Sequence, residues 1–317
     1  MKWLTIPAAV IALASPLTTP PPGGWPIIAW AHGTIGLADQ CAYSVAGPGS
    51  PQRDWEYLGT WMRQGYAVVA TDYAGLGTPG QQPYLNGAVE AANVVDGVTA
   101  VTRHFQAVSN KWMVVGQSQG GQAAMFTARL ATELGGEELD YRGAVGTSVP
   151  AYNEELIAMV GPGFPPMKIS TYNTQAVLYI LNGLRTSHPD LDIDSYLTAG
   201  GHHWFVRAQQ TCQRQFHQEL AGADVVIGDL LAWPLRDLPE GILRNYLALP
   251  ETGFDKPVFI GQGLFDTNII TPNTLRYSAV LTAAGQPVSV HTYPTDHSAT
   301  VNASLVDSVP FVAAAFA

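Results

Sequence analysis

The chain has 317 residues, 47% of them apolar and only 13% charged, well below the roughly one-quarter charged share of an average soluble protein. This excludes intrinsic disorder and coiled coils, and the length suits one large α/β domain with an insertion or two modest domains. Against 15 Lys and Arg stand 25 Asp and Glu, a net charge of −10, which disfavours a nucleic-acid partner and charge-driven binding to an anionic membrane.

The N-terminus has two readings. Met1-Lys2-Trp3 followed by Leu4 to Ala14, with Ala12-Leu13-Ala14 as an A-x-A-like site, has the form of a short signal peptide. Ala8 to Ser15 equally reads as a β-strand, leading through the turn-rich Pro16 to Gly24 into a second strand, Trp25 to Ala31. That second run is continuously apolar, as a strand buried on both faces of a parallel sheet should be, and it stops at His32-Gly33-Thr34. Arg53 to Arg63 has helical spacing of Trp55, Leu58, Trp61 and Met62, with Gly65 as its stop. Tyr66 to Thr71 is the next core strand, followed by a glycine-rich loop and an amphipathic helix from Ala88 to His104. Trp112 to Gly116 is a strand running into Gln117-Ser118-Gln119-Gly120-Gly121 and an Ala-rich helix to Leu134, and Gly143 to Val149 is a further strand.

The alternation then breaks. Residues 151–252 are loop-rich, with short helical patterns and no core strand. Strand, helix, strand and helix return at Pro257 to Gly261, Pro272 to Ala284, Pro287 to Tyr293 and the C-terminus. Strands alternating with helices predict an α/β fold, a mostly parallel central sheet with helices on both faces. The expected organisation is a core of residues 1–150 and 253–317, with 1–14 as leader or first strand, and a largely helical cap from 151 to 252.

The chemistry centres on Gly116-Gln117-Ser118-Gln119-Gly120, a G-x-S-x-G between a strand and a helix. The turn needs small flanking residues, and it places the Gln119 N–H at a helix N-terminus where an oxyanion would form. A serine needs a base and an orienting acid, in the chain order Ser, acid, His. Asp266 follows the carboxyl end of a core strand and His297 follows the last strand, so both return to one sheet edge. His32 suits the oxyanion loop better than the base, and that loop supplies the second donor from Thr34 or Gly33. His202, His203 and His217 lack metal-ligand spacing. Asp296 adjoins the base in sequence, and Asp255 sits before its strand at the opposite edge. Gly75-Leu76-Gly77-Thr78-Pro79-Gly80 matches a dinucleotide fingerprint, with Asp96 at the acidic offset. Pro79 and the following loop, however, replace the helix that must cradle a pyrophosphate. The two cysteines, Cys41 and Cys212, are either free buried thiols or one long-range disulfide.

Together, Ala31-His32-Gly33-Thr34 with Gly36 and Cys41, Asp72-Tyr73 with the Gly75 to Gly80 loop and Tyr84-Leu85, and the Ser118 elbow resemble the secreted fungal and actinobacterial lipase family of α/β-hydrolases. The resemblance runs from Gly24 to Pro150 and from Pro257 to His297. It implies a secreted serine carboxylesterase or lipase with a helical cap, nucleophile Ser118, acid Asp266, base His297 and oxyanion donors Gln119 and the Gly33-Thr34 loop. It further implies a disulfide joining Cys41 to Cys212. The expected reaction is hydrolysis of acyl esters of apolar chains through an acyl-enzyme, with no metal or organic cofactor and with transient lipid contact through the cap. Leu178, Ile180, Leu181, Leu184, Trp204 and Phe205 would line an acyl pocket or form the cap's own core. The alternatives are an acyltransferase or peptidase on the same scaffold, and a non-catalytic binding module.

Overall fold

A computed structural model describes residues 4–6, 9–166 and 169–317. Met1 to Trp3 and Pro7-Ala8, part of the leader-or-strand segment, lie outside the described residues. Among the described residues, eight strands form a single sheet: β1 (Leu4–Ile6), β2 (Ala9–Ala14), β3 (Trp25–Ala31), β4 (Ala67–Thr71), β5 (Val108–Gln117), β6 (Asp140–Thr147), β7 (Val258–Gly263) and β8 (Val288–Tyr293), in the order β1-β2-β4-β3-β5-β6-β7-β8. From β4 to β8 every pairing is parallel, and β2 pairs antiparallel with β4. Ala9–Ala14 forms an edge-side strand, with Ala12 opposite Ala70 and Leu13 opposite Val69.

The central strands β3, β4 and β5 are apolar on both sides because helices cover both faces. Short α1 (Tyr43–Ala46) and α2 (Pro51–Arg63) precede β4, and α2 opens with Pro51 in its first turn, where a missing N–H costs nothing. Next come α3 (Gly87–His104), with the Asn86 side chain accepting from the Val89 N–H as its cap, and α4 (Gln119–Gly135). One face buries Val94, Val98, Ala124 and Ala128, and the other buries Leu58, Trp61 and Val312.

Between β6 and β7 the chain leaves the sheet and forms α5 (Asn153–Ala158), α6 (Thr171–Ser187), α7 (Ala199–Gln210), α8 (Gln213–Gly222) and α9 (Ile242–Leu247). It re-enters beside the strand it left, with Ala144 opposite Val258. The segment is more helical than its pattern suggests. In α6, Val177 to Leu184 are all buried, polar Asn182 among them, so that stretch is covered on every side. Leu178, Ile180, Leu181, Leu184 and Phe205 pack with Trp204 into a cluster of their own. They form the segment's core and are not among the residues lining the cavity beside Ser118. The chain closes with α10 (Thr271–Ala283), β8, α11 (Thr300–Ala303) and α12 (Leu305–Phe316).

Candidate active site

Ser118 stands between β5 and α4 with φ 59° and ψ −120°, a left-handed conformation that an L-residue adopts only under constraint. The constraint is close packing. A Cβ on Gly116 would overlap the Gly120 carbonyl, and one on Gly120 would overlap the Ala31 carbonyl, so only glycine fits at either position. The Ser118 N–H donates to the Thr147 carbonyl (3.0 Å), locking the turn to β6.

Asp266 and His297, 31 residues apart in the chain, meet at the carboxyl edge of the sheet. The imidazole Nδ1 lies 2.8 Å from the Asp266 carboxylate. Asp266 is buried, and burial alone would raise its pKa. The hydrogen bond and charge of His297, with the Ile269 N–H, outweigh this and hold it below the ordinary value. The other acids are engaged differently: Asp255 accepts from the Thr132 hydroxyl (2.7 Å), and Asp296, though it also lines the cavity beside Ser118, accepts from the Ala299 N–H (2.8 Å). Ser118 and His297 both line a cavity of about 370 Å³.

The imidazole Nε2 faces a residue the sequence did not single out. Gln117 Nε2 lies 3.0 Å from it and also donates to the His297 carbonyl (3.2 Å), while Arg53 Nη1 donates to Gln117 Oε1 at 3.5 Å. A carbonyl can only accept and a guanidinium can only donate, so these two contacts orient the amide. Its N–H must then point at Nε2, and the ring proton sits on Nδ1 towards Asp266. Among the described residues, the Ser118 hydroxyl makes no direct hydrogen bond with His297. Gln117 and His297 are 180 positions apart, and no local pattern links them.

The loop after β3 lies against this turn. A Cβ on Gly33 would stand 3.0 Å from Gln117 Oε1 and 3.7 Å from Ser118 Cβ. Gly33, Thr34 and Gln119 all line the cavity. The Thr34 hydroxyl pairs with the Tyr84 hydroxyl (2.7 Å), and His32 is buried beneath, its ring 4.5 Å from that of Tyr73. Burial pushes His32 down to about 4, so it is neutral and structural. The loop is fastened to the segment between β6 and β7. The two cysteines form the Cys41–Cys212 disulfide, and the Gln213 N–H donates to the Ile35 carbonyl (2.9 Å).

Behind Gln119 lies Glu90, also unforeseen. It is buried on α3 and accepts from Gln119 Nε2 (2.7 Å) and the Leu85 N–H (3.2 Å). Burial pushes its carboxyl up to about 8. The sequence signal for it is an acid placed among the apolar positions of the helix predicted from Ala88 to His104. The Gly75 to Gly80 loop lies in turns, and Asp96 falls within α3. His202 lies 3.7 Å from Asp194, His203 packs on Trp204, and His217 packs on Tyr172.

The profile of the secretory lipase family matches residues 50–285, well over half of the chain. The chain belongs to the secretory lipase family. This member is accordingly a lipase or carboxylesterase type hydrolase acting on lipid esters. Among solved structures it is similar to Candida antarctica lipase A, with TM-score 0.74 and 20% identity, over 96% of this chain and 73% of that one. It is also similar to a hydrolase from Legionella pneumophila (TM-score 0.74, 17% identity, 96% and 83% covered). The rice cell wall degrading esterase LipA from Xanthomonas oryzae is a third (TM-score 0.64, 18% identity, 95% and 83% covered). These likenesses show the α/β-hydrolase fold. A search of curated proteins finds no match.

Proposed function

We propose that this secretory lipase works through a Ser118–His297–Asp266 triad and a covalent acyl-enzyme. Ser118 Oγ attacks the ester carbonyl as His297 Nε2, leaving Gln117, takes the hydroxyl proton. The Gln119 N–H and an N–H of the Gly33-Thr34 loop stabilise the oxyanion. The tetrahedral intermediate expels the alcohol with the proton from the imidazolium, and water repeats the sequence to release the acid and restore Ser118. Asp266 holds the Nδ1–H tautomer throughout. No step draws on a metal or an organic cofactor.

The observation that carries this reading is the 2.8 Å Asp266–His297 contact at the cavity lined by the constrained Ser118. We further propose that residues 151–252 act as a cap over a core of 1–150 and 253–317, and that the enzyme works outside the cell. The family's name and the buried disulfide support an extracellular setting. Transient contact of the cap with a lipid surface is supported by exposed Met159, Phe164 and Trp233. The Leu235 N–H donates to the Val160 carbonyl and draws their two loops together.

The test is substitution. Ser118→Ala abolishes p-nitrophenyl butyrate hydrolysis and fluorophosphonate labelling. Asp266→Asn lowers kcat by about 10⁴ through the wrong tautomer, with the fold intact. Asp255→Asn, at the opposite edge, leaves both near wild type. Retained activity in Ser118→Ala, or damage from Asp255→Asn in place of Asp266→Asn, refutes the assignment.

A further inference from the structure

Glu90, on α3, is a buried carboxyl that no step of the proposed chemistry uses, and the fold sets it between the two halves of the proposed oxyanion site. One of its oxygens accepts both from Gln119 Nε2 (2.7 Å) and from the Leu85 N–H (3.2 Å). Gln119 is the first residue of α4, and its N–H is the donor proposed beside Ser118. Leu85 is held from its other side, because its carbonyl accepts from Gln122 Nε2 (2.8 Å), one turn further along α4. With φ 63°, Leu85 has the left-handed conformation that an L-residue keeps only where its surroundings impose it. The preceding residue, Tyr84, pairs through its hydroxyl with Thr34 (2.7 Å), in the loop proposed to supply the second donor. The Tyr84 carbonyl accepts from the Tyr246 hydroxyl of α9 (2.8 Å). A single carboxyl oxygen thus ties the start of α4 to the segment that holds the Thr34 loop.

The same position decides what charge Glu90 carries. Among the described residues no cation pairs with it. The titratable groups facing it are Tyr73 after β4, Tyr84 before α3 and Tyr246 on α9, and burial pushes all three phenols upward, so they too are neutral. Burial lifts the Glu90 carboxyl to about 8, against the hydrogen bonds from Gln119 and Leu85, which pull it down. Glu90 is therefore uncharged at pH 7 and ionises in mildly alkaline solution. A carboxylate there would stand behind the oxyanion site with nothing to offset it, where charges are poorly screened. It would oppose the negative charge that the ester oxygen gains in the transition state and leave the neutral ester of the ground state unaffected.

We propose that Glu90 is a positioning residue for ester hydrolysis: through Gln119 and Leu85 it holds the two halves of the oxyanion site in register, and it serves only while uncharged. It acts through these two residues and does not touch the substrate. The inference rests on the proposed Ser118 chemistry and adds a residue to it.

The experiment is a pH profile of the full chain on ethyl butyrate, followed by alkali uptake at temperatures where circular dichroism is the same at pH 7 and pH 9.5. Wild-type kcat falls about tenfold between these values while KM stays level, because only the transition state meets the new charge. In Glu90→Gln, whose amide oxygen still accepts from Gln119 and Leu85 and which has no charge to gain, the fall is absent. Gln119→Met cuts the tie from the other end and serves should Glu90→Gln not fold: kcat at pH 7 drops about tenfold with KM unchanged. A merely structural Glu90 would shift Tm in these variants without moving the pH profile or kcat alone. A level wild-type profile, a fall that persists in folded Glu90→Gln, or an unaltered kcat in Gln119→Met overturns the inference. A wild-type chain that does not react with a fluorophosphonate at pH 7 would instead sink the Ser118 reading.

Discussion

Gln117 occupies the lone pair that the mechanism requires, and its replacement is the most informative perturbation of the site. In the proposed scheme the contact between Gln117 Nε2 and the imidazole, 3.0 Å long, must break before Ser118 can deliver its proton. Gln117→Met keeps the length and volume of the side chain and removes the donor. One neutral hydrogen bond is worth about 1 kcal/mol net, which corresponds to roughly fivefold in rate. The opposing effect, loss of the 3.2 Å bond to the His297 carbonyl, is limited because the 2.8 Å contact with Asp266 still holds the ring. The expected outcome is a fluorophosphonate labelling rate, and a p-nitrophenyl butyrate burst, about fivefold faster than wild type with unchanged Tm. Gln117→Glu supplies a complementary signature. A carboxylate there accepts from an imidazolium and cannot donate to a neutral ring, so the acidic limb of the kcat/KM profile moves to higher pH. The charged neighbours, Asp266 at Nδ1 and the Arg53–Asp54 pair behind the amide, are the same in both variants. Labelling that is unchanged or slower in a folded Gln117→Met, together with an unmoved acidic limb in Gln117→Glu, would refute the argument.

Stability against pH supplies a second prediction. Glu90, with its ordinary value near 4.5 pushed up to about 8, keeps its proton in the folded state after the unfolded chain has lost it, so stability falls as pH rises between these values. His32, pushed down from 6.5 to about 4, acts in the opposite sense, and stability rises from pH 4 to 6.5. The two slopes, each at most about 1.4 kcal/mol per pH unit, oppose each other where they overlap and leave a net decline from about pH 6.5 to 8. Glu90→Gln should abolish that decline in urea titrations, and an unchanged slope would show that Glu90 is not the titrating group. The disulfide supplies a third prediction. With a separation of 171 residues it is worth about 5 kcal/mol in the chain-entropy treatment, so a Cys41→Ala and Cys212→Ala double variant should lose roughly 10 °C in Tm. Because Cys41 shares a loop with Gly33 and Thr34, kcat should fall in the same variant at temperatures where it remains folded. Unaltered kcat would separate the disulfide from the chemistry.

The parts of this molecule legible in the sequence are those where local sterics and chain order act together. The elbow was legible because two glycines and a serine between a strand and a helix leave the backbone few conformations, and Ser118 takes the strained one. Asp266 was legible from its position just past a core strand, and the structure places it against His297. The helix α6 was harder to place because Val177 to Leu184 are buried on every side, polar Asn182 among them, so residue type does not mark which face turns inward. The N-terminus was ambiguous because a short apolar stretch fits a leader and an edge-side strand equally well.

Gln117 and the cavity amides were illegible for a different reason. Amide side chains carry no charge and no periodicity, so their roles depend wholly on what the fold sets opposite them. Gln117 meets an imidazole, while Asn173 and Gln213 line the cavity, yet nothing in their own neighbourhoods distinguishes them. In the proposed scheme the nucleophile and its partners are specified by residue type and order, whereas the residues lining the cavity come from separate stretches of chain and are joined only by the fold.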